Sequence, residues 1–427
     1  MPLAAGGTPW GFRKEGRMSR VSSLALAEPR VLASTSSETL QTTCATGALF
    51  LLPFPALNFG VSFTYADVFL VMAVALNATQ LVRLQGFQVP LLMAAPLFVL
   101  SALLDPDGGL IELVQVIYIW GFVVPFGWLA FAGLTLRRMI LTVLASAVIN
   151  AIVAVGQGAG YIPELGNQHI IDFGGGFSRA AGLSLKCNSL VMSLTPCLML
   201  IPYLGRLKWR LGTLLVLVPG LLAAVSKSIV FALPGVIWYV WHEPKRRGVA
   251  AFLCLLGLVW VIRGEGITGV GDLYYHFSDL VSKRIDRIEE SVDERIELMR
   301  VSLEYADETL LLGYGPSGTH VRVSAMTHNT VHVYYLGVLL SGGLPAAALA
   351  FAGMGMIVVG LWKQGARHVC LYVLSHLLAL SVMTALLVSF QVLPFLVGAA
   401  VLSQLTGAHP GSDRELMVGT IPEGHRS

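Results

Sequence analysis

The sequence predicts an all-α, polytopic membrane protein with about twelve transmembrane helices. Three observations carry that prediction. Hydrophobic residues make up 55% of the chain and charged residues 12%, about half the charge fraction of a soluble domain. The mean hydropathy is +0.72, and the apolar residues gather in runs close to the ~20 needed to cross a bilayer. Basic residues alternate from side to side between those runs. The net charge of +3 adds nothing, because orientation depends on where charges fall rather than on their sum.

In chain order, residues 1–42 are polar and rich in Ser, Thr, Gly and Ala, with Arg13, Lys14, Arg17, Arg20 and Arg30. They are expected to form a mobile cytoplasmic tail. A transmembrane domain, 43–406, follows. Its spans are expected at about 43–60, 63–81, 88–104, 110–131, 138–160, 188–204, 210–225, 228–241, 248–262, 331–362, 368–389 and 391–406. Residues 407–427 form a second cytoplasmic tail. Several spans carry prolines, which bundled helices tolerate because neighbours satisfy the freed backbone groups. The 331–362 run is too long for one perpendicular crossing. Gly342–Gly343–Leu344–Pro345 is predicted to divide it into a short leading helix and the span proper.

With both termini in the cytoplasm, the inner loops hold Arg83; Arg137 and Arg138; Arg206, Lys208 and Arg210; Lys245, Arg246 and Arg247; Lys363 and Arg367. The short outer loops hold Lys227 with Asp105, Asp107 and Glu112. Every step obeys the positive-inside rule. Two longer loops, about 161–187 and 263–330, fall outside and are basic; long loops escape that rule.

The chemistry-bearing residues cluster in those two outer loops. The first reads Asp172–Phe173–Gly174–Gly175–Gly176–Phe177–Ser178–Arg179–Ala180–Ala181–Gly182 and continues to Lys186–Cys187–Asn188. Its glycines permit tight turns. Arg179 and Lys186 either both face an anion, or the loop is an ordinary solvated one in which Arg179 pairs with an acid. The second is expected to contain an amphipathic helix over about 278–305, with Leu280, Ile285, Ile288, Val292, Ile296, Met299 and Leu303 on one face. Arg284, Arg287 and Arg295 flank that face. They serve either an anionic headgroup or ion pairs with neighbouring acids three and four residues away. The loop ends at Met326–Thr327–His328–Asn329–Thr330–Val331–His332, where two histidines share one helix face. They either solvate a helix end or do chemistry there. Lys227, between Ser226 and Ser228, reads as a snorkelling lysine or a phosphate contact. None of the five cysteines forms a C-x-x-C pair, so neither a disulfide framework nor a zinc site is expected. Cys187 alone is expected near water. No acidic cluster, phosphate loop or metal-ligand spacing stands out.

Together these stretches resemble the O-antigen ligase and polysaccharide polymerase superfamily of bacterial inner-membrane glycosyltransferases. Three segments across about 170–360 carry the resemblance. They are Arg179-x-x-Gly182 with Asn188; Arg295–Ile296–Glu297–Leu298 running to Leu312–Gly313–Tyr314–Gly315; and His328–Asn329 leading to Gly343–Leu344–Pro345. One departure concerns the histidines. The family places a glycine eleven residues after its His; Gly343 is eleven after His332 and fifteen after His328. The dipeptide favours His328 and the spacing favours His332. Another is Ser226–Lys227–Ser228, where relatives often carry arginine; lysine lacks the bidentate fork.

The resemblance implies a fold similar to the multi-span glycosyltransferases, with a large helical periplasmic loop. It implies transfer of a glycan from an undecaprenyl diphosphate carrier to an acceptor sugar hydroxyl on the outer face of the inner membrane. The acceptor is a glycolipid, either lipid A core or a carrier-linked repeat unit. No nucleic acid, cofactor or metal enters. Arg179 and Arg295, with Arg284 and Arg287 behind them, would stabilise the departing diphosphate by charge-assisted bonds. His328, with His332 as alternative, would take the acceptor proton, and Asn329 would join the substrate-binding set. Direct displacement would invert the sugar C1. The rival reading is a transporter or flippase of lipid-linked glycans, which predicts paired sites near the bilayer midplane.

Overall fold

The computed structural model describes residues 36–57, 63–78, 84–165, 171–172, 178–224, 297, 300–301, 303–305, 311–319, 334–380 and 389–407, with backbone alone at 36–37, 171–172, 178–179 and 389–390. Contacts divide the chain after Thr39; the packing described below belongs to the unit from Leu40 to Ser427. Its helices are α1 (Ser36–Leu51), α2 (Tyr65–Asn77), α3 (Gln88–Leu103), α4 (Leu110–Ala132), α5 (Leu136–Gly158), α6 (Cys187–Cys197), α7 (Leu207–Ala223), α8 (Tyr334–Lys363), α9 (Arg367–Leu380) and α10 (Leu393–Leu405).

By length and composition α4, α5 and α8 can cross a membrane, and shorter apolar helices accompany them. Each expected span that falls on described residues overlaps one of these helices, although the first helix ends at Leu51, well short of residue 60; those at 228–241 and 248–262 lie outside the described residues. The first helix begins at Ser36, ahead of the hydropathy rise near 43, because its opening turn is polar. Residues 1–35 and 408–427, most of both expected tails, also lie outside the described residues.

The helices alternate in direction, and contacts tie their ends together. At one end the Ala56 N–H donates to the Leu183 carbonyl at 3.2 Å, just after α1 and just before α6. Close by, Asp67 in the first turn of α2 accepts from the Tyr118 hydroxyl of α4 at 2.8 Å. At the other end Gln41 of α1 donates to Asn77 of α2, and both side chains lie against Gly133. There Gln404 of α10 donates to the carbonyls of Ala132 and Leu134 at 2.8 and 2.7 Å, where α4 passes to α5.

Small residues let the helices approach closely. A Cβ on Gly220 of α7 would lie 2.5 Å from Ala151 Cβ of α5, and one on Gly353 of α8 would lie 2.5 Å from the Leu91 side chain of α3. Such contacts drive association inside a bilayer, where apolar burial gives no advantage over lipid. α4 is irregular: a π-helical stretch, Ile117–Val123, precedes Pro125. The Pro125 carbonyl, displaced from the ladder, accepts from Gln88 Nε2 at 3.0 Å and from Trp128 Nε1 at 3.1 Å. That is how a broken span keeps its polar backbone satisfied.

α8 divides where the sequence predicts. Gly343 takes φ 79° and ψ 171° inside it, two residues before Pro345. A left-handed residue of this kind favours glycine, and Pro345 sits where its missing N–H falls in the first turn of the second segment. Cys187, expected near water, is instead 7% exposed, because it packs into the hydrophobic core at the first turn of α6.

Candidate functional site

The chain from Arg179 to Leu183 is a turn held by the interior of α5. β1 (Ile171–Asp172) pairs antiparallel with β2 (Ser178–Arg179), with Ile171 opposite Arg179. The next residue's N–H, Ala180, donates to the Ala223 carbonyl at the end of α7, at 3.0 Å. Gln157 Oε1 then accepts from two consecutive N–H groups, Ala181 at 3.1 Å and Gly182 at 2.7 Å. Asn150 Oδ1 accepts from the Leu183 N–H at 2.7 Å. Asn150 Nδ2 reaches Ser193 Oγ at 3.3 Å and Ser184 Oγ at 3.4 Å. Both amides are buried inside a span, where an unmatched polar group is costly.

Gly182 has a strict reason to be glycine. Its φ is +63°, and an added Cβ would fall 2.2 Å from Asn150 Oδ1 and 2.9 Å from the Asn150 carbonyl oxygen. The Arg-x-x-Gly spacing therefore closes a turn against α5 and leaves Arg179 immediately before it. The structure describes the Arg179 backbone; its guanidinium lies outside the described atoms.

The second assembly is a glycine junction where three backbones meet: the end of α3, residues 311–319 and the break in α8. The Tyr314 N–H donates to the Leu340 carbonyl at 2.8 Å. The Ser101 hydroxyl lies 2.7 Å from the Gly313 carbonyl and 2.6 Å from the Ser341 carbonyl, and accepts from the Gly315 N–H at 3.1 Å. Asp105, 8% exposed, accepts from the Gly318 N–H at 2.9 Å and the Asp107 N–H at 3.0 Å. The Ser341 and Thr319 hydroxyls are 3.5 Å apart. A Cβ on Gly313 would lie 2.3 Å from the Ser341 carbonyl carbon, and one on Gly342 would lie 2.2 Å from the Phe98 ring. Gly315 (φ +74°) and Gly343 (φ +79°) are left-handed as well. The Leu312–Gly315 and Gly343–Pro345 segments, noted separately in the sequence, thus form one packed unit.

Both assemblies sit at the same end of the bundle, where α1, α3 and α5 finish and α2, α4 and α6 start. Residues 320–333 lie outside the described residues, and with them His328, Asn329 and His332; so do Arg284, Arg287 and Arg295, and Lys227. Of the expected helix over 278–305, residues 297, 300–301 and 303–305 are described, and they include an arginine the sequence reading did not single out. Arg300 is exposed and bonded to Glu304 at 3.1 Å, with Glu297 at 3.9 Å. Its neighbours Glu304 and Glu297 hold the guanidinium pKa above its usual range. Among the described residues no group of three or more His, Cys, Asp or Glu could hold a metal.

Sequence reasoning missed Asn150, Gln157, Ser101 and the bonding role of Asp105. A signal for the first two was present: primary amides inside an apolar span are retained where they have a partner.

The fold and these junctions define a multi-span helical membrane protein. Residues 212–351 match the model of the family described as O-antigen ligase. That third of the chain runs from α7 through the glycine junction into the second segment of α8. The match agrees with the resemblance carried by Leu312–Gly315 and Gly343–Pro345. No curated protein matches the chain.

Proposed function

We propose that this protein transfers a glycan from an undecaprenyl diphosphate carrier to an acceptor sugar hydroxyl, as an O-antigen ligase or surface polysaccharide polymerase of the bacterial inner membrane. The supporting observation is that the region matched to the O-antigen ligase family contains the glycine junction that brackets the histidine segment. Thr319 and Tyr334 flank residues 320–333; the Thr319 hydroxyl lies 3.5 Å from that of Ser341 in α8, and Tyr334 is the buried first residue of α8.

In this reading Arg179 and Arg295 take the diphosphate, with Arg284 and Arg287 as further cations. His328, or His332 in its place, accepts the proton of the attacking hydroxyl, and Asn329 orients substrate. The diphosphate leaves as C1 is attacked from the opposite side, inverting it, with no metal needed to neutralise the leaving group. Both termini face the cytoplasm, and the Arg179 turn faces the periplasm.

The test is complementation of a deletion strain with Arg179→Ala, Arg295→Ala, His328→Ala and His332→Ala at matched expression, scored for long-chain glycan. Loss of one histidine is expected to lower the transfer rate by about 10²–10⁴. If both histidine variants keep full activity, the base assignment fails. If purified protein moves no glycan between lipid-linked donor and acceptor, while cells lacking it accumulate untranslocated donor, the flippase reading replaces transfer.

A further inference from the structure

Away from both assemblies, a groove of about 650 Å³ lies between α1 and the start of α5, within the ~300–1,000 Å³ of small-molecule sites. It is at the opposite end of the bundle from the Arg179 turn. Along α5, Arg138 and Gln157 are separated by roughly 28 Å at 1.5 Å per residue, close to the thickness of a hydrocarbon core. The groove is open. Arg137 and Arg138 line it at the start of α5, and Leu141, Thr142 and Ala145 line it further along that helix, with Phe50 of α1 beside them. Arg137 and Arg138 are exposed, and no carboxylate is among the lining residues.

We infer that this groove holds an anionic phospholipid, its phosphate on Arg137 and Arg138 and one acyl chain along Phe50 and Leu141. Charge at one end and apolar surface along the rest match that one class of molecule. Guanidiniums bind phosphate through paired donors, and the Thr135 hydroxyl lies beside them on the same lining. Phe50 and Leu141, further along their helices, offer a surface that suits a chain and not a soluble anion. The inference goes beyond glycan transfer and does not depend on it.

The experiment uses the full-length protein in neutral detergent, with phosphatidylglycerol and phosphatidylcholine of identical acyl chains, read by native mass spectrometry and thermal shift. Phosphatidylglycerol is expected to be retained about thirtyfold more strongly, the size two near-surface cations supply. Arg137→Gln/Arg138→Gln should erase that preference and leave phosphatidylcholine retention unchanged. Thr46→Trp, which narrows the groove without touching charge, should lower retention of both lipids. Equal retention by the unaltered protein overturns the inference without recourse to any variant. So does a preference that survives the double substitution in folded protein. Displacement of the lipid by millimolar inorganic phosphate would show a phosphate site instead, and overturns it as well.

Discussion

The two assemblies at one end of the bundle solve the same problem by different means. Each must hold an irregular turn against helices in a place with little water. The Arg179 turn is held by side chains: Asn150 and Gln157 reach from α5 and accept three backbone N–H bonds. The 311–319 turn is held mainly by backbone on backbone, made possible by Gly313, Gly315, Gly342 and Gly343, with Ser101 and Asp105 filling the remaining bonds. The first is sensitive to what a side chain can accept. The second is sensitive to whether a methyl group fits.

The sharpest way to break this contrast is to add that methyl. Gly343→Ala combines a left-handed φ with a Cβ 2.8 Å from the Leu311 carbonyl. Strain and overpacking together are expected to cost about 2–6 kcal/mol, and melting of the purified protein measures it. Gly313→Ala, which lacks the positive φ but meets the backbone of Ser341, should fall at the lower end of that range. If either melts like the parent, the junction is looser than drawn.

Next in size is Gln157→Leu, nearly isosteric. It leaves the Ala181 and Gly182 N–H groups without their acceptor, at about 1–3 kcal/mol for each buried group. The proposed glycan transfer should fall further than the melting temperature would suggest, because the turn that carries Arg179 loses its support. Activity falling only in step with folded protein would make Gln157 a purely structural residue. Asp105→Asn is a smaller perturbation. One amide oxygen can still accept from Gly318, so the expected cost is about 0.5–1.5 kcal/mol. Arg300→Ala should change neither melting nor activity, since its partners Glu297 and Glu304 are exposed with it.

The helices were legible because hydropathy reports them directly, and the break in α8 because Gly-Gly-x-Pro is strong punctuation. The supports were harder. Asn150 and Gln157 vanish in an average taken over the 23 residues of α5. Asp105 reads as a loop acid useful for topology, since nothing near it in sequence points to Gly318, 213 residues away. Ser101 and Ser341 are 240 residues apart. Of the residues proposed for diphosphate binding and proton transfer, Arg179 alone falls on described backbone. There the structure supplies a reason for the Arg-x-x-Gly spacing that the pattern by itself lacks.

The junction also sets what a change at the break in α8 can reach. Thr319 is seated beside Ser341, and Tyr334 lies seven residues before Ser341 on the same helix, a rise of about 10 Å. The described neighbours on both sides of residues 320–333 are therefore fixed to one short stretch of α8 ahead of Gly343. A substitution that loosens that stretch is expected to disturb both anchors at once, so the junction glycines and the histidine segment should fail together rather than one by one.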